Sequence, residues 1–258
     1  MFVAEITFIQ QEEIENSDQI PAALEFLLGA LRMNGQILGR EYPIANRANE
    51  YRSYVLIPEL VALNAERANS YVLDAIKQLK KLGIEYSWEI IGSEPECIPQ
   101  CSCTQQTSFI LYTTYLALEA PLRCGDCFGI VPLYRIPATK NDEYSDILSW
   151  ESDYKACDTL QMNCSTGEKF GIAQLSKHDS SLSQRGIAIC KQITAATGIP
   201  TYYYLLRVSG RSKRSELKIK CPSCNDEWLL REPLHRLFDF QCDNCRLLSN
   251  IAWSIRSK

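Results

Sequence analysis

The chain of 258 residues is 46% hydrophobic and 22% charged with a net charge of −4, a globular composition that excludes disorder of the whole chain. Its longest apolar-dominated run, residues 109–118, is far short of the roughly 18–20 residues a membrane helix needs. Residues 1–10 carry no Lys or Arg ahead of their apolar positions, so no signal peptide is read there, and a cytoplasmic protein without a membrane partner is expected.

In chain order, residues 2–9 alternate as a strand. Residues 17–33 follow a helical pattern through Leu24, Leu27 and Leu31, with Pro21 near the start and Asn34-Gly35 as the stop. Residues 36–42 and 51–57 read as two strands, 65–82 as a second helix stopped by Gly83, and 86–91 as a last strand. The order β-α-β-β-α-β is that of the ferredoxin-like split motif. Residues 94–137 read as strand, cysteine knuckle, strand. Residues 141–164 turn helical, a helix capped by Ser180 or Ser181 runs to about Ala196, and 201–208 is a strand. Residues 210–215 form a polar basic link into a cysteine-rich tail in which LKIK, WLLR, FDFQ and NIAWSI alternate as short strands. The expected class is therefore α+β in three parts: a ferredoxin-like βαββαβ domain over 1–93, a cysteine-knuckle hairpin with helices over 94–209, and a zinc ribbon over 210–258.

The cysteines carry the chemistry. There are 12 Cys against 2 His, so a metal site must be nearly all thiolate, and in a reducing compartment clustered cysteines read as ligands before disulfides. Cys221-Pro-Ser-Cys224 and Cys242-Asp-Asn-Cys245 are two Cys-x-x-Cys pairs at ribbon spacing, which completes a tetrahedron around one zinc. Cys124-Gly-Asp-Cys127 is a third knuckle, with Gly125 expected to supply a positive φ. Its partners come from Cys97, Cys101 and Cys103. Cys101-Ser-Cys103 is the nearest pair, and Cys97 is the substitute for either member. Two zinc ions per chain are expected. Cys157, Cys164 and Cys190 have no chelating spacing and read as small core residues.

The run CGDCFGIVPLYRIP, the earlier CSC, the TYYYLLR strand and the terminal CPSC…CDNC pair together resemble a bacterial family of uncharacterised zinc-ribbon-containing proteins. The resemblance spans most of the chain and implies a zinc ribbon and nucleic-acid binding.

Charge is uneven. Residues 1–200 hold 16 Lys+Arg against 25 Asp+Glu, a balance of −9, and the remainder holds 11 against 6, a balance of +5. The segment 207–220 carries Arg207, Arg211, Lys213, Arg214, Lys218 and Lys220 against Glu216 alone, with Trp228, Phe238, Phe240 and Trp253 near in sequence as stacking platforms, although their strand-spaced alternation predicts that more than half face the tail's own core. The primary expectation is a nucleic-acid or ribonucleoprotein binder whose contacts are Arg211, Lys213, Arg214, Lys218 and Lys220. The alternative is a protein binder, such as an immunity protein or antitoxin that meets a basic toxin through the acidic body. No Gly-rich phosphate loop, no nucleophile beside a usable His and no His-carboxylate metal set occurs, so neither an enzyme nor a small-molecule substrate is expected.

Overall fold

A computed structural model describes residues 1–11, 17–47, 50–95, 97–139 and 141–256. They form two compact units that interleave along the chain. The first is Met1–Gln100 with Leu118–Ala120 and Ile130–Ser145; the second is Cys101–Ala117, Pro121–Gly129 and Asp146–Lys258.

The first unit contains β1 (Phe2–Gln10), α1 (Ile20–Met33), β2 (Ile44–Arg47), β3 (Glu50–Ile57), α2 (Ser70–Lys81) and β4 (Ile84–Ser93). The strands form an antiparallel sheet in the order β2-β3-β1-β4, the split β-α-β arrangement. In α1 the buried residues Ile20, Leu24, Leu27, Leu28 and Leu31 make one helical stripe. They pack with Ala4, Ile6 and Phe8 of β1 and Val55 and Ile57 of β3 in one core. In α2 Val72, Ala75 and Leu79 form the corresponding stripe.

Two elements differ from expectation. The second strand is residues 44–47, not 36–42. Gln36 is buried and donates to the Ala62 carbonyl at 2.7 Å while accepting from Asn34 at 2.8 Å, and Gly39 sits at φ +95°, so the chain turns before it extends. Leu38 keeps a single bridge to Leu56. The second helix starts at Ser70 instead of Ala65, because the Asn69 side chain accepts from the Val72 N–H at 3.0 Å and caps it there.

The second unit contains β5 (Phe109–Leu111), β6 (Leu122–Cys124), α3 (Ser145–Met162), α4 (Glu168–Ser176), α5 (Ser181–Thr197), β7 (Thr201–Leu205), α6 (Lys213–Glu216), β8 (Leu229–Leu234), β9 (Phe238–Cys242), β10 (Leu247–Ser249) and α7 (Trp253–Arg256). Its six strands form one mixed sheet in the order β6-β5-β7-β10-β9-β8, with β7 parallel to both β5 and β10. The strands of the C-terminal cysteine pair thus continue the sheet begun by the first knuckle. Ser180 caps α5 by accepting from Ser183 N–H at 3.1 Å, and Gly198 ends it at φ +73°. A Cβ at Gly186 would lie 2.0 Å from the Tyr203 ring, so this glycine sets how closely α5 approaches β7.

The run 129–137 is not a strand. Pro132 and Pro137 lack the N–H a ladder needs, and Leu133–Arg135 is a 3₁₀ turn. In the tail, WLLR and FDFQ become β8 and β9. LKIK forms a turn after α6, and NIAWSI gives the short α7 after the buried Asn250, which bonds Tyr204 and both backbone groups of Arg207. The third strand of the tail is β10, and α4 is an element the helical pattern did not reveal.

Candidate metal centres and basic face

The three knuckles share one backbone pattern. In the first, Cys124 N–H donates to Gly129 O at 2.9 Å and Phe128 N–H to Cys124 O at 2.9 Å. In the second, Cys221 N–H donates to Asp226 O at 3.0 Å and Asn225 N–H to Cys221 O at 2.9 Å. In the third, Leu247 pairs with Cys242 across β9 and β10. The residue after the second cysteine is left-handed each time: Phe128 at φ +60°, Asn225 at +64° and Arg246 at +54°. This corrects the role expected of Gly125, which does not supply the positive φ. A Cβ there would meet Ser108 Oγ at 1.9 Å and Ser108 O at 3.0 Å, so Gly125 is required by close approach instead.

The knuckles gather the sulfurs into two groups. Cys101, Cys103, Cys124 and Cys127 form one, and Cys221, Cys224, Cys242 and Cys245 the other, each with all Sγ atoms within 4.8 Å of one another. Cys124–Cys103 is 4.0 Å and Cys224–Cys242 is 3.6 Å. These separations exceed a disulfide bond and match the edge of about 3.8 Å of a tetrahedron with 2.3 Å metal–sulfur bonds. Cys97 stands apart: its sulfur accepts from the Met1 nitrogen at 3.0 Å within the first unit. Cys157 and Cys190 are buried, while Cys164 is exposed instead of serving the core.

Proton sharing inside each group is uneven. Burial pushes the Cys101 thiol up, but hydrogen bonds from the Gln106 amide, the Cys103 backbone and the neighbouring thiols outweigh it and bring it to about 7. Cys103 is raised to about 11, chiefly by its hydrogen bond with Cys127, and burial raises Cys124. In the second group burial raises Cys245, yet hydrogen bonds from Ser223 and the other three cysteines hold it below an ordinary thiol. Four sulfurs within 4.8 Å of one another in each group make the donor set of a thiophilic cation.

The two groups are linked through side chains. The β8–β9 turn places His235 and Arg236 at positive φ, the type I′ geometry, with Leu237 N–H donating to Leu234 O at 3.1 Å. His235 Nε2 lies 2.7 Å from Gly125 O, and its ring stacks on Phe128 at 5.0 Å. Phe128 in turn packs edge-on against Phe238 of β9, the strand that ends in Cys242. His235 carries no signal of this role in the sequence, because a lone His in a turn has no spacing signature.

The basic segment is less of a linker than expected. Ser212 and Ser215 form a reciprocal capping box around α6, and Glu216 is buried with its carboxylate held by Arg207 at 2.9 and 3.1 Å. Arg211, Lys213, Arg214, Lys218 and Lys220 are all exposed. Lys220 also pairs with Glu227 at 3.1 Å. Three of the four aromatic platforms are not available, since Trp228, Phe238 and Phe240 are buried. Trp253 is 40% exposed, next to the segment through its N–H bond to Arg207 O, with Arg256 over its ring at 5.6 Å.

The pattern of a domain of unknown function, DUF2310, matches residues 103–206, and two further domains of unknown function, DUF8589 and DUF8594, match 1–92 and 210–255. A protein of Haemophilus influenzae described as uncharacterized is 33% identical over 254 residues, which covers 96% of this chain and 97% of that protein. The chain belongs to this DUF2310 family. A second uncharacterized H. influenzae protein is 37% identical over 175 residues, covering 67% of this chain and 86% of its own length. Within the family pattern lie Cys103, Cys124 and Cys127 of the first group, while Cys101 falls just ahead of it. Solved structures with partial likeness include Rv0793 from Mycobacterium tuberculosis, at 17% identity and a TM-score of 0.30 over 37% of this chain and all of that one. Another is a putative antibiotic biosynthesis monooxygenase from Deinococcus radiodurans, at 16% identity and a TM-score of 0.26 over 40% of this chain and all of that one. No helix among the described residues is long and apolar enough to cross a membrane.

Proposed function

We propose that this DUF2310 protein is a non-enzymatic nucleic-acid-binding protein whose second unit is cross-linked by two structural zinc ions. Cys101, Cys103, Cys124 and Cys127 hold one ion and Cys221, Cys224, Cys242 and Cys245 the other. Four thiolates fill a tetrahedral shell and leave no position for a substrate or an activated water, so the metal serves folding and not catalysis. Zinc is the ion this all-sulfur, knuckle-built geometry fits best.

The observation that carries the nucleic-acid reading is the fate of charge in 207–220. The segment's one carboxylate, Glu216, is buried against Arg207, so Arg211, Lys213, Arg214 and Lys218 are exposed with no exposed carboxylate in the segment, and the exposed Lys220 joins them from its pair with Glu227. Such a row supplies phosphate contacts, and the exposed Trp253 ring supplies one stacking surface.

The test is a salt titration of RNA and DNA binding by the zinc-loaded chain. Each neutralised phosphate contributes about 0.7–0.9 to the slope of log affinity against log salt. Arg211→Ala/Lys213→Ala/Arg214→Ala is expected to flatten that slope by up to about three such contacts. Absence of RNA and DNA binding at low salt rejects the reading, and binding indifferent to the triple change rejects this surface. Metal analysis is expected to return two zinc ions per chain.

A further inference from the structure

Beside the second cysteine group the second unit holds a cleft of about 690 Å³ that the reading above does not use. Helix α5 contributes Lys191 to its lining, His178 lines it from ahead of that helix, and the two knuckles contribute Asn244, Arg246 and the sulfur-bearing residues Cys224 and Cys245. No carboxylate occurs among its described lining residues.

Arg246 is held in place. Its guanidinium donates to the Tyr202 hydroxyl at 2.9 Å and lies 5.4 Å over the Tyr202 ring. That hydroxyl donates to Asp243 at 2.6 Å, and Gln241 donates to the same carboxylate at 2.6 Å. The residue occupies the left-handed position of its knuckle, where Gly or Asn is ordinary, so a long cation stands where local backbone preference asks for a small residue. Lys191 lines the same cleft from an exposed position of α5.

We infer that this cleft binds an organic phosphate, with Arg246 and Lys191, the Arg and Lys of its lining, as the groups that hold it. An Arg fork and a Lys ammonium suit a phosphate dianion, and His178 and the Asn244 amide add polar groups at its rim. The volume exceeds what an inorganic ion fills and lies within the range of about 300–1,000 Å³ typical of small-molecule sites, leaving room for the group that bears the phosphate. Two sources share this chemistry: a free phosphate ester of nucleotide size, and the terminal phosphate of a nucleic-acid strand. The competing role for the two cations is to offset the charge of the neighbouring thiolates.

The experiment is calorimetry on the zinc-loaded full chain with AMP and with a short oligonucleotide, 5′-phosphorylated and unphosphorylated. Saturable AMP binding identifies a free ester. Tighter binding of the phosphorylated strand than of the unphosphorylated one, kept in the Arg211/Lys213/Arg214 alanine variant, identifies a strand end. The variants are Lys191→Gln, on an exposed helical surface, and Arg246→Asn, which keeps a residue tolerant of the left-handed backbone. Each is expected to weaken phosphate binding about tenfold while two zinc ions are retained. No phosphate-dependent binding of either probe overturns the inference. So do variants that lower zinc content and leave phosphate affinity unchanged, since the cations then serve the thiolates. The Arg211/Lys213/Arg214 alanine variant is expected to keep phosphate binding, so failure of the basic face and failure of this cleft are read separately.

Discussion

The two units hold their sheets together by opposite means. In the first, β1 pairs with β3 over eight residues and with β4 over nine, and a helical stripe from α1 covers the sheet. In the second, β5–β6, β5–β7, β7–β10 and β9–β10 each pair over three residues. Strands that short contribute few ladder bonds and little cross-strand packing, and segments of this kind are stable only with further support. Buried aromatics supply part of it: Trp150 packs on Tyr154 and Tyr203, and Phe238 on Tyr112, Tyr204 and Phe128. The cysteine groups, each able to hold a metal ion, sit at the ends of these short strands, Cys124 closing β6 and Cys242 closing β9, and on the proposed reading a metal cross-link there takes the place of strand length in the first unit.

Three changes sharpen or break that contrast. The largest effect is expected from Cys242→Ser. Loss of a structural metal site removes on the order of 10 kcal/mol of apparent stability. Because β9 and β10 continue the sheet through β7, the loss should spread beyond residues 216–256 to α5 and β5, while residues 2–93 keep their hydrogen-exchange protection. Protection retained in β9 and β10 of a metal-free variant would mean that packing, not metal, holds the second unit. Next is Leu24→Ala in the first unit. Leu24 is fully buried in the α1 stripe, so a cost of about 2–5 kcal/mol is expected, with the zinc content unchanged. A drop in bound metal on this change would break the separation of the two units. The smallest is Asn69→Ala, which removes the α2 cap and the bond from Asn69 Nδ2 to Asp142 O at 2.6 Å. A loss of about 1 kcal/mol is expected by denaturant titration, confined to the first unit. Asp142 also accepts from Ser70 Oγ at 2.9 Å, so this carboxylate of the acidic body already has a structural task at the start of α2.

Periodicity exposed most of the first unit. The α1 stripe, the alternation of β1 and β3 and the stop at Asn34-Gly35 are local signals, and all were readable in order. Residues 36–42 misled because their alternation is served by buried side-chain bonds of Gln36 and Asn34 instead of a strand ladder. The knuckles were readable as well, since Cys-x-x-Cys spacing is a local constraint. Cys101-Ser-Cys103 was readable as the nearest pair and is the one gathered with Cys124 and Cys127, while the exclusion of Cys97 depends on the fold, which carries its sulfur to the Met1 nitrogen. The strand-spaced alternation of Trp228, Phe238, Phe240 and Trp253 made burial of more than half of them readable, and three are buried, but which of the four stays exposed is decided by the sheet partners.

By itself the sequence determined the elements set by short-range rules: helix stripes and caps, the order β-α-β-β-α-β, and three Cys-x-x-Cys turns whose spacing forces their sulfurs together. Tertiary structure alone decided what joins across distance. It merged the tail strands into the sheet of the middle region, buried Glu216 against Arg207, and brought Arg246 and Lys191 into the lining of one cleft. The physical reason is range. Backbone propensity and chelate spacing act within a few residues, whereas strand pairing and ion-pair burial depend on which distant segments pack first against a shared core.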